Sequence, residues 1–184
     1  MAVDANKIAL GPARVTFDFG GTSPVVFEQT QGGVVLTYEE TTRDIPIDQL
    51  GTTAADVIIT GRTASVAVPI AERDLEKLSK IIPGAVLVTD GADPTKQRVD
   101  VSAAVVARLF PFAKKVKIEP LDIYATPADT VILHKAAPQS NLNYTYSYDN
   151  ELITNTTFRA FPDTAQDGML ISFGDPDADP DATP

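Results

Sequence analysis

The chain contains no cysteine, which excludes disulfides, thiolate nucleophiles and cysteine zinc sites, so packing must hold the fold. Histidine is almost as scarce. His134 is the single copy, and any Ser–His nucleophile pair would depend on it. No Gly-x-Ser-x-Gly elbow accompanies it, and it ends the apolar run Val131–Leu133. The expectation is a structural or surface histidine in a protein that is not an enzyme; a pocket around His134 would be needed to reverse that. Long apolar runs are missing too. Met1–Leu10 carries Asp4 and Lys7 and lacks the apolar core of about 7–15 residues that a secretory leader requires. Nothing approaches the roughly 20 apolar residues of a membrane span, so cytoplasmic synthesis without a membrane partner is expected. The triplets Asn143–Thr145 and Asn155–Thr157 then read as chance sequences in polar strands rather than as glycosylation acceptors.

Positive charge is in deficit, with 15 Lys and Arg against 25 Asp and Glu and a net charge of −10. Asp175, Asp177, Asp179 and Asp181 supply −4 of this, leaving −6 on residues 1–174. An acidic body repels phosphate backbones and disfavours nucleic-acid binding by counterion release. The same repulsion suits a surface past which DNA moves without sticking. The carboxylates at alternate positions of 175–181 imitate the start of a calcium loop, but Pro180 stands where the sixth-position glycine is required. No metal or cofactor is expected. The chain reads as one domain over 1–174, followed by an acidic, Pro- and Asp-rich flexible tail at 175–184.

What dominates is alternation of apolar and polar residues with period two, the mark of half-buried strands. Val15, Phe17 and Phe19 alternate with Arg14, Thr16 and Asp18, and Val34, Leu36 and Tyr38 with Val35, Thr37 and Glu39. Gln31-Gly32-Gly33, between Val25–Thr30 and Val34–Glu40, looks like a short hairpin connection. Val57–Thr60, Ala64–Ile70, Arg98–Leu109, Val116–Ala125, Thr130–His134, Leu142–Tyr148, Thr156–Phe161 and Met169–Phe173 read as further strands. In Leu142–Tyr148 the residues Leu142, Tyr144, Tyr146 and Tyr148 share one face. The fold class is therefore mainly β, a sandwich or barrel.

One segment departs from this: Ala71, Leu75, Leu78 and Ile82 recur at helical spacing, and Pro83-Gly84 ends the run. A single flanking helix must cover an apolar face of the β body. Between Glu40 and Asp56 lies a long polar stretch carrying Ile45 and Ile47, read as an extended loop or protruding hairpin. Connections of that length are usually functional or disordered. The glycine pairs at 20–21 and 32–33 precede no helix and are turns rather than phosphate cradles, and the acidic pair Glu39-Glu40 belongs to a solvated rim or channel wall.

Taken together, GPARV at 11–15, EQTQGGVVLTY at 28–38, DIPIDQ at 44–49, Gly61 with its following strand, AERDLEKL at 71–78, NTTFRAFPD at 155–163, Gly168–Leu170 and Phe173–Asp175 resemble the tail-tube proteins of long-tailed phages. The resemblance spans nearly the whole chain and marks no catalytic centre. It implies a β-sandwich with one helix that assembles as hexameric rings, stacked into the tube through which DNA is ejected. It also implies a place in the virion and, as partners, further copies of the chain, tape-measure, terminator and distal tail proteins.

In such tubes a long loop bridges subunits. This makes Arg43, Asp44, Ile45, Ile47, Asp48, Gln49 and Leu50 the candidate assembly loop, with Arg43 and Asp44 or Asp48 available for intersubunit ion pairs. Closing a ring lets a sheet continue from one copy to the next without a free edge. A lumen that passes DNA should be acidic or neutral, and Asp18, Glu28, Glu39 and Glu40 are its candidates. The alternatives are another tail protein of the same fold, or a carbohydrate- or cell-surface-binding β-sandwich with Tyr144–Tyr148 as its ligand face, although period-two spacing favours core packing of those tyrosines.

Overall fold

The computed structural model describes residues 11–103, 108–149 and 151–178. It contains ten strands and one helix among them: β1 (Ala13–Phe17), β2 (Val25–Phe27), β3 (Val35–Pro46), β4 (Ala54–Ile70), α1 (Leu75–Ile81), β5 (Val86–Thr89), β6 (Gln97–Asp100), β7 (Lys114–Pro120), β8 (Val131–Leu142), β9 (Thr154–Ala160) and β10 (Ile171–Phe173). The mainly β class with a single flanking helix is what the alternating sequence predicts. The leader reading of Met1–Leu10, residues 104–107 of the expected Arg98–Leu109 strand, and residues 179–184 of the expected tail lie outside the described residues. No helix among those described is long and apolar enough to cross a membrane.

The main sheet runs β2-β1-β7-β8-β9-β4-β3, antiparallel at each step, with β10 also paired to β8. On the flank of β8 away from β7, β9 pairs with Ala136–Leu142 and β10 with Val131–Leu133, so the two form one strand interrupted by an excursion. The sheet then closes on itself. After β2 the chain leaves β1 and crosses to the end of β4, where Thr30 bridges Ile70, Gln31 N–H donates to Pro69 O at 3.0 Å and Ala71 N–H to Gln29 O at 2.9 Å.

The expected Val25–Thr30/Val34–Glu40 hairpin is therefore wrong. The turn at Gly32-Gly33 is real, but it sits in a corner strand whose partners are β1 and then β4. Local turn chemistry does not reveal which strand lies alongside.

Inside the barrel the alternate residues Ala64, Val66, Val68 and Ile70 of β4 meet Val15 and Phe17 of β1, Phe27, Val116 and Ile118 of β7, Leu133 and Phe158. Phe158 is fully buried, its ring 5.3 Å from Phe17 and 6.2 Å from Phe27. Removing such a ring forfeits both transfer energy and packing, about 3–5 kcal/mol.

α1 covers one mouth, burying Ile81, with Leu78 and Ile82 packed on the core. It is shorter than the expected Ala71–Ile82, because Asp74 is its N-cap: Oδ1 accepts the N–H groups of Glu76 and Lys77 at 2.8 and 3.2 Å. Leu75, placed on the apolar face by spacing, is 40% exposed.

Two further expectations fail for one reason. Val57–Thr60 and Ala64–Ile70 are not two strands but one, because β3 pairs along β4 from Ala54 to Ala67 and so spans the break between them. Leu142–Tyr148 is not a strand beyond its first residue: pairing of β8 with β9 ends at Leu142↔Thr154, and the tyrosines fall in the connection. Alternation shows that a segment could pair. Whether a partner lies beside it is a tertiary matter. Similarly, β6 ends at Asp100, well short of the expected Leu109.

Candidate functional site

The stretch expected to form a loop or protruding hairpin is the second of these. β9 pairs with β4 only from Ser65 to Ile70, so among the described residues Ala54–Ala64 have β3 as their sole strand partner, and the two strands project from the barrel as a ribbon. Thr41, Thr42, Ile45, Val57, Ile58, Ile59 and Thr60 favour extended backbone because their branched Cβ atoms pack well on a pleated surface. The tip is a 3-10 turn, Asp48–Leu50, in which Leu50 N–H donates to Ile47 O at 3.0 Å. Gly51 follows with φ 62°, a conformation that costs glycine little and a branched residue much.

Residues 37–53 are all exposed. A two-stranded ribbon is marginal in water without a covered face, and this one bares apolar side chains on both faces. Ile45 is 36%, Ile47 42%, Leu50 49%, Val57 51%, Ile58 40% and Ile59 48% exposed. A bulge sets their distribution. Thr41 pairs with Gly61 but Thr42 with Ile59, so Thr60 is an extra residue, held by its hydroxyl donating to Thr41 O at 3.1 Å. The shift turns Val57 and Ile59 onto the face that, nearer the body, carries Val66 and Ala64, and puts Ile58 on the other.

Thus Arg43, Asp44, Ile45, Ile47, Asp48, Gln49 and Leu50 are brought together in one projecting element. Arg43 makes no ion pair within its own chain among the described residues. Val57, Ile58 and Ile59 belong to the same surface and were assigned to the body by sequence reasoning. Four consecutive branched residues, Val57–Thr60, followed by Gly61 were the available sign of an exposed ribbon.

At the root of the arm, Tyr38 O–H and Arg62 Nε both donate to Glu40 Oε1, at 2.7 and 3.0 Å. The bonds from Tyr38 and then Arg62 hold the Glu40 carboxyl below its ordinary range, and Glu40 in turn raises the Tyr38 phenol. A cleft of about 640 Å3 opens beside this cluster, between Ile59–Arg62 and Asp167–Ile171.

The four acidic candidates do not converge. Glu39 and Glu40 are neighbours in β3 and point to opposite faces. Glu28 pairs with Arg14 at 3.7 Å. Asp18 shapes a turn, with φ 60°, its Oδ2 accepting Ser23 N–H at 3.1 Å and Lys114 Nζ 3.8 Å from Oδ1. Gly21 packs so tightly there that a Cβ would stand 2.1 Å from the Asp18 carboxylate.

His134 lies on β8 with Nε2 2.7 Å from Ser172 Oγ across to β10. Burial, then the Lys115 ammonium, lower its pKa against opposing pulls from Gln166 and Asp163. Neither His134 nor Ser172 lines the cleft at the arm root. No group of three or more potential metal ligands occurs among the described residues. Asp175 closes a turn, its Oδ1 accepting Asp177 N–H at 2.9 Å.

At the opposite pole, the tyrosines expected to pack in the core are exposed, Tyr146 by 80% and Tyr148 completely. Tyr144 alone is anchored, its hydroxyl 2.5 Å from Thr154 Oγ1.

No protein-family model matches the chain, and no curated protein matches it. Among solved structures it is similar to a chain of the anti-feeding prophage baseplate, a 6-fold symmetrised cryo-EM structure: 14% identity, 94% of this chain and 98% of that chain covered, TM-score 0.45.

Proposed function

We propose that this protein is a structural, non-enzymatic subunit that assembles with copies of itself into stacked rings forming a phage tail tube. The observation that carries the reading is the β3–β4 arm: a ribbon exposed on both faces, studded with aliphatic side chains and, among the described residues, unpaired along the outer edge of β3. Isolated, such an element exposes apolar surface and unpaired backbone groups; docked on a second copy, it covers both. The loose sequence resemblance to tail-tube proteins supplies the context of hexameric rings in a virion, DNA passing through the lumen without specific binding, and tape-measure, terminator and distal tail proteins as neighbours. An acidic body suits that passage, with Glu39, exposed on β3, the lumen candidate least engaged by its own chain. Another tail position on the same fold is the nearest alternative.

Deleting Arg43–Leu50 tests the reading. Folded monomers that no longer polymerise are expected, seen by negative-stain microscopy beside wild-type rings or tubes about ten nanometres across, a size set by domain dimensions. Normal tubes from the deletion refute the role of the arm.

A carbohydrate- or cell-surface-binding module remains the second reading, favoured by the exposed Tyr146 and Tyr148. Monomers at every concentration, with affinity for glycans, would select it.

A further inference from the structure

β4 carries the arm at one end and leads to α1 at the other, so the arm and α1 sit at opposite poles. Ala54 and Ile70 stand about 50 Å apart at the usual rise per residue, and the arm of one copy cannot reach its own α1. Beside α1 a cleft of about 370 Å3 lies against the connection between β8 and β9, lined by Arg73, Leu75, Leu78, Tyr144, Tyr146 and Leu152 among others. Leu75, Leu78 and Leu152 give it apolar lining beside the two rings, and Tyr146 packs edge-on against Tyr144 with ring centres 6.4 Å apart.

Two carboxylates border the cleft, and both are engaged within the chain. Glu72 bonds Lys77 and the backbone N–H groups of Glu28 and Gln29, while Asp74 caps α1. Arg73 is left with no ion pair among the described residues. The arm tip offers the converse: Ile47 and Leu50 exposed, and between them Asp48, likewise without an ion pair among the described residues.

We infer that the cleft beside α1 is the receptor for the arm of a second copy, Ile47 and Leu50 lying on Tyr144 and Tyr146, and Asp48 meeting Arg73. The inference rests on the self-assembly reading and adds where the arm lands. Contact between unlike poles is heterologous, so each docking leaves a free arm at one end and a free cleft at the other, and copies propagate as a stack.

Charge reversal in the full chain tests it. Arg73→Asp alone and Asp48→Arg alone should each reduce polymer in sedimentation by about tenfold or more, as loss of a partnered interface charge does. The double variant should restore it. Thermal melts matching the wild type within about 2 °C establish that each variant is folded.

Because the chain has no cysteine, mixing Leu50→Cys protein with Tyr146→Cys protein under oxidant gives an independent readout, and a disulfide-linked dimer is expected. If wild type polymerises while both reversals polymerise equally well and no cross-link forms, the receptor assignment is overturned and the self-assembly reading stands. If wild type stays monomeric throughout, both fall. An oligosaccharide held in the cleft through Tyr146, with assembly indifferent to Arg73, also overturns the assignment.

Discussion

Glu72 joins three parts of the fold through one carboxylate. Oε1 accepts Glu28 N–H at 2.6 Å and Gln29 N–H at 2.8 Å, where the chain turns from β1 to β4, and Oε2 binds Lys77 on α1. Without it, two backbone donors at the corner that closes the barrel lose their acceptor.

Hydrogen bonds to a charged group contribute about 1.5–3 kcal/mol each. Glu28 and Gln29 are exposed enough for water to replace the lost acceptor, so the two backbone bonds count at or below the low end of that range, about 1–1.5 kcal/mol each, and Glu72→Ala should cost about 2–3 kcal/mol. For a domain of this size that lowers Tm by about 4–12 °C. Glu72→Gln keeps an oxygen acceptor but loses the charge, and should fall between.

The pH dependence has a definite sign. Burial pushes the Glu72 carboxyl up, but the Lys77 bond and the two backbone N–H bonds outweigh it and hold the pKa below the ordinary value. A depressed carboxyl contributes stability that is fully present above the unfolded pKa of about 4.3 and lost as pH falls through the folded value. Melting curves by circular dichroism from pH 7 to pH 3 should therefore show the gap between wild type and Glu72→Gln closing below about pH 4.3. A gap independent of pH, or a Glu72→Ala protein that melts with wild type, refutes this account of the corner.

Three other outcomes are expected. Phe158→Ala, emptying the centre of the barrel, should cost about 3–5 kcal/mol in denaturant unfolding, and a loss under about 1 kcal/mol would show that the aromatic cluster is not the core's centre. Asp74→Ala removes the cap of a seven-residue helix and should cost about 0.5–2 kcal/mol, read as a Tm decrease with the main sheet's far-ultraviolet signal retained. Inserting one alanine between Thr41 and Thr42, opposite Thr60, should complete the ladder and carry Val57 and Ile59 to the opposite face; polymerisation should fail while Tm stays close to wild type, and unchanged tubes would show that the bulge does not set the docking face.

Composition, alternation and spacing were enough to establish a mainly β body with one helix, to place that helix before Pro83-Gly84, and to single out residues 40–56. These properties are legible because they are local: a pleated strand exposes alternate faces, a helix repeats every three to four residues, and a long polar stretch with isolated branched residues does not build a core. Partnership was not legible. Gly32-Gly33 has the chemistry of a hairpin turn, yet it lies in a corner strand. Leu142–Tyr148 has the alternation of a strand, yet β9 turns away at Thr154 and leaves Tyr146 and Tyr148 in solvent. The extra residue at Thr60, which decides the face that Val57 and Ile59 present, exists only relative to the strand beside it. Pairing between distant segments depends on where the rest of the chain goes, so the arm's length, its bared faces and the cleft at the far pole were settled only by tertiary structure.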